Sequence, residues 1–286
     1  MNADSRRASA NIASSVRARL VALAHERGED AGMLFTRYAL ERFLYRLGKS
    51  AHRNDFVLKG AMLLRALDPT FRRATKDLDL LGFGSSDMER VADCFRDCCA
   101  LEVEDDGLDF DASALSCTPI REALEDGGLR VSFSARLGSA KLRIQVDVGF
   151  GDAVTPAPQD LLYPTLLNQP QPNVRAYPVV TVVAEKLHAI TVLGMGNTRM
   201  KDYYDLYCIA QTFALAQTDL KAALKRTFRS RKTPLPTALP LGLSLEFARN
   251  PEKIAQWRGF LKRNGIVAPE LTLETVVEQI RPWLEG

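Results

Sequence analysis

Asp55-Phe56-Val57-Leu58-Lys59-Gly60-Ala61-Met62-Leu63-Leu64, followed by Arg72-Arg73-Ala74-Thr75-Lys76-Asp77-Leu78-Asp79-Leu80-Leu81, reads as a strand, a turn at Lys59-Gly60, an apolar helix and a second strand bearing two carboxylates. Side chains alternate across a strand, so Asp77 and Asp79 project from one face while Leu78 and Leu80 point to the other. Two like charges about 4 Å apart repel by roughly 4 kcal/mol at an effective dielectric near 20, so folding alone gains nothing from the pair. A bound cation reverses that sign. Oxygen donors of this kind suit Mg²⁺ or Mn²⁺, held through one or two carboxylates and the phosphates of a substrate. The plain alternative is a solvated strand edge, where charges protect against aggregation.

Working outward, Leu142-Arg143-Ile144-Gln145-Val146-Asp147-Val148-Gly149-Phe150 pairs by pattern with Arg130-Val131-Ser132-Phe133-Ser134-Ala135-Arg136-Leu137 in a hairpin turning at Gly138-Ser139. Leu142, Ile144, Val146, Val148 and Phe150 share one face, which leaves Asp147 on the other. A lone carboxylate in an Ile/Val strand gains nothing from burial. Asp147 therefore reads either as recruited to a site or as the cross-strand partner of an arginine.

Gly60-Ala61 ahead of Asp77-Leu78-Asp79 resembles the first motif of the polymerase-beta-type nucleotidyltransferase superfamily. Together with Phe56-Val57-Leu58-Lys59-Gly60, Arg73-Ala74-Thr75-Lys76-Asp77-Leu78-Asp79, Ala184-Glu185-Lys186-Leu187 and Arg199-Met200-Lys201-Asp202-Tyr203-Tyr204-Asp205-Leu206, it resembles the AbiEii/AbiGii toxin family, over about residues 50 to 210. Ala61 departs from the superfamily, which usually has Gly or Ser after the first Gly; Ala removes a hydroxyl but keeps the small volume.

The resemblance implies an α/β (α+β) fold, with a mixed-sheet nucleotidyltransferase core and a helical C-terminal lobe. It also implies a site in which Asp77, Asp79, Lys186 and Asp205 are catalytic. Asp77, Asp79 and Asp147 would hold Mg²⁺ (or Mn²⁺), and Lys59, Gly60, Ala61, Lys186, Arg199 and Lys201 would bind the NTP. The acceptor it implies is the 3′ end of a tRNA, whose blockage stops aminoacylation and translation, and the partner is a cognate antitoxin. Other outcomes are transfer to a protein or small-molecule hydroxyl, and a catalytically silent module that binds RNA or antitoxin. Taken alone, Lys201 and Asp205 at i, i+4 describe only a surface pair.

Composition fits these expectations. Of 286 residues, 46% are hydrophobic and 26% charged, ordinary for a globular protein. No run approaches roughly 18 consecutive apolar residues, and Met1-Asn2-Ala3-Asp4-Ser5-Arg6-Arg7 is not an apolar signal, so a cytoplasmic protein without membrane contact is expected. Five cysteines at 94, 98, 99, 117 and 208 form no C-x-x-C pair and lie near no clustered histidine, so zinc is not expected; Cys94 and Cys98 read as helix-packing residues. The three histidines, 25, 52 and 188, suggest no covalent hydrolase chemistry.

The expected organisation is helices over 1–50 packing on the core, the core itself over 51–160 and a helical lobe over 161–286. Ser86 and Glu89 have capping-box spacing, 102–128 reads as a short strand plus loop, 151–180 as a proline-rich connector, Thr181 as an N-cap and Gly194–Thr198 as a small, mobile turn. Residues 219–263 carry eleven Lys/Arg against three acids, although the whole chain is only +3. Lys221, Lys225, Arg229 and Lys232 recur on one helix face there, a stripe able to follow an RNA backbone.

Overall fold

Alternating and helical periodicities place the same chain in two kinds of unit. The computed structural model describes residues 3–120 and 127–285. Contacts divide them into one unit comprising Met1–Met62, Thr75–Gly151 and Gln159–Ala176, and a second comprising Leu63–Ala74, Asp152–Pro158 and Tyr177–Gly286.

The first unit holds α1 (Ala3–Arg27), α2 (Ala31–Lys49), β1 (Phe56–Lys59), the first turn of α3 (Gly60–Leu67), β2 (Leu78–Gly82), α4 (Met88–Ala100), β3 (Leu108–Pro119), β4 (Gly128–Leu137), β5 (Ala140–Gly149), β6 (Gln159–Leu162) and β7 (Asn173–Ala176). Its seven strands form one mixed sheet in the order β3-β4-β5-β2-β1-β7-β6. The pair β1/β2 is antiparallel and β2/β5 parallel, so the two acid-bearing strands are neighbours.

Leu58, Leu78, Leu80, Val131, Ile144, Val146 and Val148 are buried on one face, as period 2 requires. Phe43 of α2 fills the space above, its ring 5.3 Å from Phe95 and 5.1 Å from Phe133. Offset and tilted ring pairs of this kind add to simple area burial.

Several local expectations shift. The N-cap of α4 is Asp87, whose carboxylate accepts from the Arg90 N–H at 2.9 Å; the capping box at Ser86 is one residue early. β3 is twelve residues long where a short strand was expected, because an edge strand with a bulge between Asp111 and Ser116 needs little apolar alternation. The loop expected at 121–126 lies outside the described residues. The proline-rich 151–180 segment contains β6 and β7, short strands that pair with each other and extend the sheet from β1.

The second unit holds α5 (Val179–Leu193), α6 (Met200–Thr212), α7 (Gln217–Ser230), α8 (Leu245–Arg249), α9 (Pro251–Arg263), α10 (Leu273–Ile280) and α11 (Pro282–Glu285). Val179–Gly196 is long and apolar enough to cross a membrane by length and composition. It nevertheless carries Glu185 and Lys186 and buries Val183, Leu187 and Ile190 completely, as a core helix does.

Pro178 precedes α5, and Thr181 lies inside it. Instead of capping, the Thr181 hydroxyl donates to the Thr155 carbonyl at 2.8 Å. The turn expected to be mobile is anchored by Asn197, fully buried, whose side chain accepts from the Arg199 N–H at 2.8 Å and whose carbonyl accepts from Lys253 Nζ at 3.1 Å.

Candidate active site

Register places a row of charged side chains in the first unit. Lys59 on β1 lies opposite Asp79 on β2, Asp79 is level with Asp147 on β5, and Asp147 faces Arg130 on β4. A single row across the sheet thus reads Lys59, Asp79, Asp147, Arg130, on the face opposite the apolar core. Asp77 stands two residues before Asp79, with Oδ1 accepting from the Thr75 hydroxyl at 2.5 Å. Two cations and three carboxylates leave the group with a net charge of −1 at neutral pH.

Asp147 is held by Arg130 in a two-pronged ion pair at 2.8 and 2.7 Å. That bond holds the Arg130 guanidinium above its ordinary pKa, with Asp77 and Asp79 adding to it. The cross-strand arginine that the sequence offered as the alternative partner of Asp147 is therefore present.

Gly60 sits at φ +70°, a backbone conformation that glycine adopts without strain, and a Cβ there would collide with the Asp79 carboxylate. The turn brings main chain directly against an acid, at the point where the N-terminus of α3 begins. Ala61 is buried behind it. As a donor set, Asp77, Asp79 and Asp147 offer only carboxylate oxygens, matched to Mg²⁺ or Mn²⁺. The residues fit such an ion, with the Arg130 guanidinium occupying the positive position beside Asp147.

The second unit holds a buried ionic network of its own. Asp202 and Asp205, at i, i+3 on α6, are fully buried. Lys186 on α5 reaches between them, with Nζ 2.7 Å from Asp202 Oδ1 and 2.8 Å from Asp205 Oδ2. Arg73 forks onto Asp205 at 2.8 and 3.0 Å, and Arg199 Nε lies 2.8 Å from Asp202 Oδ2 as an ion pair without hydrogen-bond geometry.

Burial works against the charge of Lys186, but Asp202 and Asp205 outweigh it and hold the amine above its usual pKa. Burial likewise opposes ionisation of Asp202, and Lys186 and Arg199 outweigh it in turn. Three cations against two anions give this network a net charge of +1, its most exposed member being Arg199.

Lys186 and Asp205 thus meet directly, whereas Lys201 is exposed and makes no ion-pair contact in the network, adding only its charge near Asp202; the surface pair of Lys201 with Asp205 does not form, because Asp205 is enclosed by Lys186 and Arg73. Lys221, Lys225 and Arg229 are exposed along α7 and Lys232 lies just beyond it, while Leu220, Leu224 and Phe228 are buried. Of the other basic residues in that segment, Arg231 pairs with Asp152 at 2.6 Å and Lys253 is buried, so neither extends the exposed stripe.

The sequence-based candidates omitted Arg73, Asp202 and Arg130. Arg130 had a signal: a two-residue turn at Gly138-Ser139 fixes the hairpin register and brings it opposite Asp147. Asp202 had one as well, its i, i+3 spacing from Asp205.

The solved structures similar to this chain include two from Helicobacter pylori. JHP933 from Helicobacter pylori is 13% identical, with 88% of this chain and 90% of that one covered and a TM-score of 0.50. A protein from H. pylori provisionally assigned as a nucleotidyltransferase is 12% identical, with 88% and 92% covered and a TM-score of 0.46. No curated protein matches the sequence. The family described as nucleotidyl transferase AbiEii toxin, of type IV toxin-antitoxin systems, matches residues 42–279, most of the chain. The chain belongs to that family and is a nucleotidyltransferase of a toxin-antitoxin system, with a cognate antitoxin as its counterpart.

Proposed function

We propose that this toxin transfers a nucleoside monophosphate from an NTP to the 3′ end of a tRNA, in a Mg²⁺-dependent reaction in the cytoplasm that blocks aminoacylation and translation. The observation that carries the chemistry is Asp79 on β2 in register with Asp147 on β5, with Asp77 in the bend just before β2 and the Gly60 turn packed against Asp79.

Asp77 and Asp79 would hold the divalent cation, and Asp147 would join them once Arg130 releases it. When bound, the ion supplies Lewis-acid stabilisation of the charge that develops during in-line displacement at the α-phosphorus. Lys59 balances the charge of Asp79 on the same face, and the N–H groups of Gly60 and Ala61, opening α3, orient phosphate oxygens. Lys186 is assigned to the triphosphate, with Asp202 and Asp205 keeping its amine charged and positioned. Arg199 and Lys201 offer further positive charge to the outer phosphates. Arg73 fixes the Asp205 carboxylate and is a positioning residue.

The stripe Lys221, Lys225, Arg229 and Lys232 supports an RNA acceptor, since exposed cations at helical spacing follow a phosphate backbone and release its counterions. Incubating the protein with each α-labelled NTP, Mg²⁺ and total tRNA, beside Asp77→Ala, tests the proposal. Label in tRNA that disappears in the variant is the expected result. Label in protein or a small molecule instead would overturn the acceptor, and no transfer to any acceptor would leave a binding module.

A further inference from the structure

A second group of ligand-type side chains lies in the first unit, at the end of β1 opposite Lys59. The turn before β1 carries His52 and Asp55, and α4 presents Cys94 and Asp97. Ligand atoms of His52, Asp55 and Cys94 all lie within 4.8 Å of one another. The strand between Asp55 and Lys59 rises roughly 13 Å, which separates this group from the carboxylate row.

Hydrogen bonding on the imidazole is specific. His52 Nε2 is 3.0 Å from Asp97 Oδ2, and Nδ1 is 3.4 Å from Asp55 Oδ2. A neutral imidazole has one N–H, and the tautomer that donates it along the shorter contact to Asp97 leaves Nδ1 as an acceptor. In that tautomer Nδ1 would face a carboxylate oxygen with its lone pair, an arrangement that a cation between them would satisfy. Cys94 is 4% exposed, and its thiol lies in the field of Asp55 and Asp97, with burial holding it above the usual thiol pKa.

We infer that His52 Nδ1, Asp55 and Cys94 form a binding site for a zinc-type divalent transition ion, with Asp97 as the carboxylate that orients the histidine. Zinc bonds of about 2.0–2.3 Å to N, O and S place tetrahedral ligand atoms roughly 3.3–3.6 Å apart. The His52–Asp55 pair already has that spacing. A carboxylate on the distal nitrogen is the usual companion of a metal-bound histidine.

Binding releases the Cys94 proton to solvent, and the thiolate and Asp55 together neutralise the ion. His52 and Asp55 are part exposed, so solvent reaches the fourth position. A thiolate in the set selects against Mg²⁺ and separates this ion from the one assigned to Asp77 and Asp79. Arg90, 3.7 Å from Asp55, is the competing cation; it also donates to the Ser85 carbonyl at 2.9 Å.

Cobalt titration of the metal-free full-length protein under reducing conditions tests the site. One equivalent of Co²⁺ should bring up a thiolate-to-cobalt charge-transfer band and tetrahedral d–d absorption. Zn²⁺ should abolish both, and millimolar Mg²⁺ should not. Cys94→Ser should lose the charge-transfer band and Cys98→Ser should keep it, while Asp97→Asn should weaken binding about 10- to 100-fold. Should Cys94→Ser fail to fold, Asp55→Asn at the exposed rim must lower Co²⁺ affinity at least about tenfold. Binding without a charge-transfer band, a band that survives Cys94→Ser, or no stoichiometric binding would show His52 to be a plain bridge between two carboxylates and overturn the inference.

Discussion

Replacing Lys186 by Met removes one charge from the buried network of the second unit and nearly preserves side-chain length. Each of its two contacts, at 2.7 and 2.8 Å, corresponds to about 6 kcal/mol of attraction at an effective dielectric of 20. Against this stand desolvation of the ammonium, several kcal/mol, and repulsion from Arg73. With Asp202 and Asp205 fully buried, removing the cation leaves both carboxylates short of a partner, a loss of about 3–5 kcal/mol. The melting temperature should fall by about 6–20 °C. Denaturant unfolding of wild type, Lys186→Met, Asp202→Asn and the double variant gives the coupling directly, expected at about 2 kcal/mol or more. A single-variant loss below about 1 kcal/mol would refute the network as a structural element and return Lys186 to the role of a loosely held phosphate clamp.

Three other consequences can be measured. Gly60→Ala forces a side chain onto a positive-φ position and against Asp79, and nucleotidyl transfer should drop at least about 100-fold while circular dichroism stays native. Arg130→Ala frees both oxygens of Asp147 and should lower the Mg²⁺ concentration for half-maximal activity; an unchanged requirement would remove Asp147 from the metal set.

Burial pushes the Glu41 carboxyl up to about 7, opposed by the Leu166 N–H and Arg42. The folded state therefore binds this proton more tightly than the unfolded chain, and the stabilisation, roughly 3 kcal/mol, is full below pH 4.5 and lost as pH rises towards 7. Glu41→Gln should flatten that slope in pH-dependent denaturation.

The strand-turn-helix-strand around Gly60 and the hairpin carrying Asp147 were legible because period-2 alternation and a two-residue turn leave few alternatives. Placing Asp79 beside Asp147 needed more: β2 and β5 are parallel neighbours separated by 57 residues, and nothing local fixes such a pairing. β6 and β7 escaped notice since four-residue strands flanked by prolines carry almost no periodic signal. Lys186 and Asp205 were singled out only through family resemblance. Their burial follows from helix packing, which turns an apparent surface pair on α6 into a network reaching Arg73. Cys94 and His52 are forty-two positions apart, beyond any ligand-spacing motif.

The central claim is that the carboxylate row holds the metal and the nucleotide. Crystals grown with Mn²⁺ and a non-hydrolysable NTP, recorded at the manganese edge, test it most directly. The account predicts an anomalous peak bridging Asp77 and Asp79, with the α-phosphate beside it and the phosphates running over Gly60. Manganese and nucleotide bound elsewhere, with Asp77 and Asp79 uncoordinated, would contradict it.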